Sequence, residues 1–425
     1  SWLRAGLALL ATMSAFVFYV EMRKRWFPAP LPQELSIEAN AHKSAGARFF
    51  AMLLRWYAQP SLPRDPLNNP LVEATPALRI AGAMRVYLRG LGQVIFPWTL
   101  SGDYSAPQEP IPDRVIFPES VLGGLLMIIP LMVGPALGLS AWLRSRYELA
   151  ASEPHSTENE LGEIVIKKEK ERRPRRYTRA LIGSCLVWIV VSYFPVSNIP
   201  VLLPTVRAER FWYFPVIATS ILLAIAWNWL FKKMEKRGSL FYNAAVVAFG
   251  LFFCFQCFAA RRHANDYTDD LVFWDATRHA VPRSAKAHLN YSVMQGARGN
   301  LEERLAANRV ALGLAPKWPM ASVYLGDTLC RLHRAQEAWP YYKQGFELAP
   351  NDQNLVALGV QCLWDEKAMG EGSEARAGLE QLATDHPGSW VAYIARDTID
   401  NGDDHNGVDP KYRPRGYNEG PKKDE

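Results

Sequence analysis

Long apolar stretches alternate with charged loops through the first 263 residues of the chain. A helix that crosses a bilayer needs about 20 predominantly apolar residues. Its backbone polar groups must be paired within the segment, because lipid offers them no partner. The pattern therefore predicts five membrane-spanning helices, which lie near residues 2–20, 121–143, 180–196, 212–231 and 239–259.

The cations of the intervening loops predict the orientation of these helices. Residues 144–179 contain ten Lys and Arg, and the short loop 232–237 contains four more. Cytoplasmic loops are enriched in cations, so both are predicted to be cytoplasmic. The loop before residue 121, the loop 197–211 and the whole chain after residue 259 are then predicted to lie outside the cytoplasm.

The interval 26–118 is predicted to be an extracytoplasmic amphipathic region. Its stretches 45–57 and 76–100 place arginines between aromatic and aliphatic residues, which is typical of helices that lie in the membrane interface. The cations at residues 23–25 would be cytoplasmic by the same orientation rule. A hidden crossing within the interval is therefore the alternative to two interfacial helices.

The chain from residue 264 onward lacks such apolar stretches and shows a period of 34 residues instead. Pro316 and Pro350 each close a helical pattern. The residues between them that match the tetratricopeptide-repeat spacing are Leu325, Gly326, Ala338 and Tyr342. In such repeats, small residues let two antiparallel helices approach and the aromatic residue fills the gap between units.

These patterns together predict an all-α protein: a polytopic transmembrane helix bundle followed by a tetratricopeptide-repeat α-solenoid. The membrane domain is predicted over residues 1–263 and the repeat domain, with about three repeats, over residues 264–399. Residues 400–425 are rich in Asp, Gly, Pro and Lys and are predicted to be a disordered tail. Repeat arrays usually bind an extended protein segment, although a rigid spacer or dimerisation arm is the alternative.

Charge differs between the two parts of the chain. Residues 1–263 contain 30 Lys and Arg against 18 Asp and Glu, and residues 264–425 contain 18 against 24. Most of the basic excess flanks the membrane helices, so it orients the protein and does not indicate nucleic-acid binding. Membrane lipids are the partners that this distribution favours.

Cysteines and histidines give one short motif, the C-x-x-C of Cys254 and Cys257, which lies in a run of phenylalanines and is interpreted as small residues of a membrane helix, with a redox pair as the alternative. The five cysteines are too few for a disulfide framework, and Cys330 and Cys362 are interpreted as residues of the helical repeats. No His and Cys cluster has the spacing of a metal site. Single histidines, interpreted as ordinary surface or repeat residues, are His263, His279, His288 and His333.

Two segments on the predicted outer side carry candidate binding residues. In the first, Arg85 and Arg89 lead to Asp103 and Tyr104 at the end of an amphipathic stretch. In the second, Asn198 precedes a charged group beside an aromatic belt, which consists of Arg207, Glu209 and Arg210. Arginine binds phosphate through paired, charge-assisted hydrogen bonds, so these segments are candidates for a lipid-linked phosphate. An interfacial anchor with a local ion pair is the alternative.

The ordered set of these segments resembles a known family. It consists of residues 67–71, the helix with Arg85 and Tyr87, and residues 96–105, 194–198 and 208–215, followed by the repeats. Together they resemble the transmembrane and tetratricopeptide-repeat-containing protein O-mannosyltransferases, including their bacterial relatives. The resemblance extends from about Asn68 to Pro387.

The resemblance implies a membrane glycosyltransferase, or the C-terminal part of one. Such an enzyme transfers a sugar, mannose in the eukaryotic members, from a polyprenyl or dolichyl phosphate to Ser or Thr of an extracytoplasmic protein. The family's catalytic acid lies in the first extracytoplasmic loop and is expected upstream of Ser1, so Asp103 is interpreted as a positioning residue. The resemblance does not indicate whether the reaction requires a divalent metal.

The expected setting is a multi-pass protein of the bacterial inner membrane or the endoplasmic reticulum, with its repeat domain extracytoplasmic. In this hypothesis, Arg207 and Arg210, with Arg85 or Arg89, stabilise charge on the departing lipid phosphate. A non-catalytic, membrane-anchored repeat scaffold for protein–protein interaction is the alternative function.

Overall fold

The computed structural model describes residues 2–26, 38, 41–42, 44–57, 65–151 and 173–401. Within these residues the secondary structure is entirely helical, with fifteen α-helices and three short 3₁₀ turns. The all-α prediction is therefore confirmed. Most of the predicted cytoplasmic loop and all but the first two residues of the predicted disordered tail lie outside the described residues.

Contacts divide the chain into two compact units, Ser1–Arg64 with Leu202–Pro204, and Asp65–Val201 with Thr205–Glu425. The first unit contains α1 (Trp2–Trp26) and α2 (Ala45–Tyr57).

A tryptophan of α2 holds these two helices together. The indole nitrogen of Trp56 donates a 2.8 Å hydrogen bond to Glu21, and Lys24 lies 5.4 Å from the centre of its ring. Phe16 of α1 contacts the same ring edge-on. Phe49 and Phe50 of α2 are exposed, so this helix has the apolar face that the amphipathic pattern predicts.

The second unit begins with five helices. The first of them packs beside the other four, which are the longer apolar ones. These helices are α3 (Pro76–Ile95), α4 (Pro118–Ala151), α5 (Arg173–Tyr193), α6 (Pro215–Glu235) and α7 (Ser239–Asn265).

Among the described residues, four helical segments are long and apolar enough to cross a membrane. They are Pro118–Arg144, Thr178–Val196, Pro215–Glu235 and Ser239–Asn265. Four of the five predicted spans are thereby confirmed as apolar helices of sufficient length. The first predicted span lies within the 25-residue helix α1, and its membrane crossing stays a prediction.

The interfacial interpretation expects helix α3 to lie on the membrane surface. In the structure this helix packs against other helices. Its residues Ala81, Ala83, Val86 and Tyr87 are buried. A Cβ atom at Gly123 of α4 would overlap the backbone of Met84, so the two helices are in close contact. The small residues of both helices permit this approach, and the amphipathic face of α3 is covered by protein.

Helix α6, which corresponds to the predicted span 212–231, starts three residues later than the sequence predicts. Residues Glu209–Trp212 form a 3₁₀ turn, and α6 begins at Pro215, because proline is well suited to the first turn of a helix. Trp212 therefore lies before the membrane helix. Its ring centre is 4.6 Å from that of Tyr193 and 5.4 Å from that of Tyr87. A Cβ atom at Gly90 would overlap the Trp212 indole, so glycine is needed where α3 passes it.

The remaining helices of the described residues are short, and they pack against one another after a connecting helix. They are α8 (Asp270–Ala280), α9 (Ala285–Ala297), α10 (Leu301–Leu314), α11 (Pro319–Arg331), α12 (Ala335–Leu348), α13 (Gln353–Asp365), α14 (Glu374–Asp385) and α15 (Trp390–Asn401). This is the helical repeat region that the 34-residue period predicts.

The residues that mark the period lie where successive helices meet. Leu325, Ala338 and Tyr342 are buried, and a Cβ atom at Gly326 would lie 3.0 Å from the Tyr342 ring and 3.2 Å from the Ala338 carbonyl oxygen. Glycine therefore allows α11 and α12 to approach. A Cβ atom at Gly359 of α13 would also meet the Tyr342 ring, so this tyrosine fills the space between repeats.

The two prolines of the period follow the second helices of their pairs. Pro316 lies after α10, and its carbonyl oxygen accepts a 3.0 Å hydrogen bond from Gln344. The carbonyl oxygen of Pro350 accepts a 3.0 Å hydrogen bond from the backbone of Val391 in α15. Both turns thus bond to a later helix of the array.

One expectation about the cysteines is wrong. Cys330 in α11 and Cys362 in α13 form a disulfide, with their Cα atoms 6.3 Å apart. The two cysteines are 32 residues apart in sequence, close to one period of the repeat, and the packing of α13 against α11 brings them together. Counting cysteines missed the bond because only the stacking places the two side chains in contact.

Candidate functional site

Three segments that are distant in sequence meet at one end of the membrane helices. They are the loop between α3 and α4, the loop between α5 and α6, and the end of α7 with the start of the repeats. The backbone nitrogen of Val206 donates to the carbonyl oxygen of Asn68, which lies before α3, and that of Ala285 donates to Ala106 in the loop between α3 and α4. The segments predicted to share one side of the membrane are therefore joined.

A buried carboxylate, Glu109, lies at the centre of this assembly. Its Oε1 accepts a 2.7 Å hydrogen bond from Arg207, and its Oε2 accepts one of 2.7 Å from Arg89. The Arg85 guanidinium lies 3.6 Å from Oε2 and also donates to the Pro110 carbonyl oxygen. The Glu109 side chain is 1% exposed, so its carboxylate is almost fully removed from water.

The three arginines differ in exposure and in their further contacts. Arg89 is about one-third exposed and also pairs with Glu119. Arg207 stacks over the Tyr104 ring, with its guanidinium carbon 4.3 Å from the ring centre. Arg85 is almost fully buried, and this burial lowers the pKa of its guanidinium from the ordinary value. We call Glu109 with these three arginines the arginine cluster.

A second carboxylate, Glu209, connects the three segments. Its Oε1 accepts hydrogen bonds from the Ser101 backbone nitrogen at 2.7 Å and from the Tyr104 hydroxyl at 3.0 Å. Its Oε2 lies 2.8 Å from Nε2 of His263 at the end of α7. Burial and the nearby Glu209 charge raise the pKa of Tyr104, so its hydroxyl keeps its proton and donates a hydrogen bond to the Glu209 carboxylate.

Asp103 attaches the loop after α3 to the first helix pair of the repeats. Its Oδ2 accepts hydrogen bonds from the Ser105 hydroxyl at 2.5 Å and from the Ser284 hydroxyl at 3.1 Å. Ser284 also caps α9 by accepting from the Ala287 backbone nitrogen. Lys286 lies 3.4 Å from Oδ1 of Asp103, which completes a buried joint between the two parts of the chain.

Asn198 has a structural position in the same assembly. Its backbone φ is +62°, a left-handed conformation that asparagine tolerates better than most residues. Its side-chain nitrogen donates to the Val206 carbonyl oxygen at 3.1 Å, and its Oδ1 accepts from Asn69 at 2.9 Å. These bonds fix the loop that presents Arg207.

Arg210 is the exposed member of the predicted set. Its guanidinium lies 5.5 Å from the centre of the Phe211 ring, and no ion pair joins it to another described residue. Of the predicted arginines it is the one whose charge is free for a ligand.

A groove of about 780 Å³ lies beside this assembly. The loop residues Pro97 and Trp98 form one wall, and Phe255 and Phe258 of α7 form another. Its polar end contains Arg262, His263 and His279. The groove is therefore apolar along the membrane helix and polar where that helix ends.

The structure thus joins seven of the eight binding residues that the sequence singles out through hydrogen bonds and ion pairs, and it leaves the eighth, Arg210, exposed. Sequence reasoning missed Glu109, His263, Ser284 and Lys286, which supply their main partners. Glu109 lies two residues after a proline and directly before another, in a loop with few acids, and this was the available signal. His263 was interpreted as unpaired and is in contact with Glu209 and Asp266.

Within the described residues no group of three or more His, Cys, Asp and Glu side chains has the arrangement of a metal site.

This chain shares a partial similarity with known proteins. No family model matches the chain. Over 191 residues, which are 45% of this chain, it is 27% identical to Protein O-mannosyl-transferase Tmtc3 of Drosophila melanogaster. The chain is similar to a protein O-mannosyl-transferase. The match covers 20% of that relative's length, and it supports the resemblance drawn from the ordered motifs.

Proposed function

We propose that this chain is part of a membrane glycosyltransferase that transfers a sugar from a polyprenyl or dolichyl phosphate to Ser or Thr of a protein. The observation that carries the proposal is that Glu209 of the segment 208–215 joins the segment 96–105, while Asn198 of the segment 194–198 holds the loop that leads to Glu209. These are the segments on which the resemblance rests. The similarity to an O-mannosyl-transferase supports the same reaction class.

The proposed location of the assembly is the extracytoplasmic membrane surface. The cation-rich segments 144–179 and 232–237 belong to the opposite ends of the helices, and such segments are usually cytoplasmic. The disulfide between Cys330 and Cys362 supports the same placement, because disulfides persist mainly in oxidising compartments. The compartment is then the bacterial periplasm or the lumen of the endoplasmic reticulum.

The residues have distinct proposed roles in this reaction. Arg210 contacts the donor phosphate, because its charge is exposed and unpaired among the described residues. Arg85, Arg89 and Arg207 neutralise Glu109 and hold the loops that shape the site.

Asp103 positions the repeats, and we assign it no proton transfer. The repeats, which we propose to be of the tetratricopeptide type, hold the acceptor protein near the membrane surface. Tethering of this kind raises the effective concentration of the acceptor.

The test is sugar transfer by the full-length protein in proteoliposomes, with labelled polyprenyl-phosphate sugar and mass spectrometry of candidate acceptors. Replacement Arg210→Lys keeps the charge and removes the paired hydrogen bonds, so we expect transfer to fall about tenfold or more. Arg237→Lys, in the loop at the other end of α6, is the matched control and should leave transfer unchanged. Equal rates for both variants would remove Arg210 from phosphate binding.

A specific observation favours the scaffold as second candidate. The carboxylates Asp103, Glu109 and Glu209 of the assembly are each paired with a basic side chain among the described residues. An assembly whose acids are all engaged suits a structural platform. Stable acceptor binding by the full-length protein, without sugar transfer to any acceptor, would support the scaffold over the enzyme.

A further inference from the structure

The groove beside the assembly exposes large aromatic side chains at the end of a membrane helix. Trp98 is 77% exposed and Phe258 is 66% exposed. The Trp98 ring lies 5.8 Å from the ring of Phe255, so loop and helix form one continuous aromatic wall. Aromatic side chains at the ends of membrane spans lie at the level of the lipid headgroups.

Helix α7, which forms one wall of the groove, is the least covered of the four candidate spans in the described part of the chain. Only 11% of an 18-residue apolar stretch of α7 is buried, against 17% to 28% for the corresponding stretches of the other three candidate spans. This exposed wall is the side from which a bilayer lipid would reach the groove without entering the helix bundle.

The polar end of the groove contains a cationic side chain, Arg262. Phe255, Phe258 and Arg262 recur at three- and four-residue intervals on α7, so they lie on one face of the helix. Arg262 is exposed and forms no ion pair or hydrogen bond with another described residue.

The two acids of the groove are already engaged by other side chains. Asp266 contacts His263 at 3.1 Å, and Asp275 contacts Arg278 at 2.7 Å. The free charge is therefore positive.

We propose that this groove binds an anionic glycerophospholipid of the surrounding bilayer. Its phosphate contacts the Arg262 guanidinium, and an acyl chain lies along Trp98, Phe255 and Phe258. Arginine is suited to phosphate because it donates paired, charge-assisted hydrogen bonds. The bound lipid would hold the loop after α3 and the helix α8 at the membrane surface. The proposal is independent of sugar transfer, because it concerns a bilayer lipid and not the donor.

The test is lipid retention by the full-length protein, purified in detergent and measured by native mass spectrometry. The probes are phosphatidylglycerol, phosphatidylcholine, a polyprenyl phosphate and inorganic phosphate. We expect wild-type protein to retain phosphatidylglycerol over phosphatidylcholine. Arg262→Gln should reduce phosphatidylglycerol retention about fivefold, which is the effect of one cation near a charged membrane surface.

Two further variants make the result specific. Arg261→Gln removes an adjacent exposed cation of α7 that does not line the groove, and it should retain phosphatidylglycerol as wild type does. Trp98→Ala should reduce retention of both phospholipids, because it removes part of the aromatic wall. Equal losses in the two arginine variants would overturn the proposal. Displacement of phosphatidylglycerol by polyprenyl phosphate or by inorganic phosphate would overturn it as well.

Discussion

Oε1 of Glu109 lies 2.7 Å from Nη1 of Arg207, although the two residues are 98 positions apart in the chain. One belongs to the loop before α4 and the other to the loop between α5 and α6. The ion pair therefore fixes two loops that α4 and α5 separate in sequence. Since both side chains are more than nine-tenths buried, their pairing is a condition of the folded assembly.

Replacement of Glu109 by Gln is expected to destabilise the protein strongly. It leaves Arg85 and Arg207 buried without their counter-charge, and breaking a buried ion pair in this way costs about 3–5 kcal/mol. The measurement is thermal unfolding of the purified protein in detergent. Glu119→Gln is the control, because Glu119 is 41% exposed and its pair with Arg89 is worth about 1 kcal/mol or less. Similar losses in both variants would contradict the role of Glu109.

Replacement of Asp103 by Asn is expected to loosen the joint between the membrane helices and the repeats. The substitution replaces the charged carboxylate acceptor by a neutral amide, which weakens the interactions with Ser284 and Lys286 by about 1–3 kcal/mol. Hydrogen exchange should become faster at the backbone of Ala285 and Ala287, at the start of α9. Asp113→Asn alters an exposed carboxylate of the same loop and should leave exchange there unchanged.

The periodic parts of the fold were predictable because each depends on local sequence. Apolar length indicated the four helices that are confirmed as candidate spans, and the 34-residue period indicated the helical pairs. Helix α3 was interpreted as interfacial because an amphipathic pattern does not reveal whether lipid or protein covers the apolar face. In the structure α4 covers it, through contacts at Gly123.

The candidate site was predictable in its members but not in its pairing. Arg85, Arg207 and Glu209 were singled out by their position near membrane helices. Their partners Glu109 and His263 lie about 20 to 100 residues away, and nothing local in the sequence connects them. Such long-range pairs follow from the return of alternating helices to the same end of the bundle.

Loss of the disulfide in the repeats is expected to destabilise that region. Cys330→Ser removes a bond between residues 32 positions apart, and a crosslink that closes a loop of this length contributes about 3–4 kcal/mol. Thermal unfolding without reductant should show the loss. Cys257→Ser changes an exposed cysteine of α7 and is the control.

Thiol labelling of the denatured protein, without reductant, checks the pairing directly. Cys185, Cys254 and Cys257 are free in the structure, so three thiols should react and two more should appear after reduction. Five reactive thiols before reduction would show that the bond does not form. It would also remove the disulfide as support for an oxidising compartment.

The first helix pair of the repeats is expected to lose stability in mild acid because of His288. Burial lowers the pKa of His288 below its ordinary value near 6.5, and its Nε2 donates a 3.0 Å hydrogen bond to the Pro282 carbonyl oxygen as a neutral ring. Between the lowered pKa and 6.5 the unfolded chain binds more protons than the folded one, so stability falls as pH decreases through this window.

Unfolding measured from pH 7.5 to pH 5 should therefore show a smaller loss in His288→Gln than in the wild type. The variant removes the proton that the unfolded state gains, although it also weakens packing at every pH. The slope against pH, and not the absolute stability, is thus the readout. His279→Gln removes an exposed histidine of the neighbouring helix and serves as the comparison. If the slope is the same in wild type and His288→Gln, the acid sensitivity has another source.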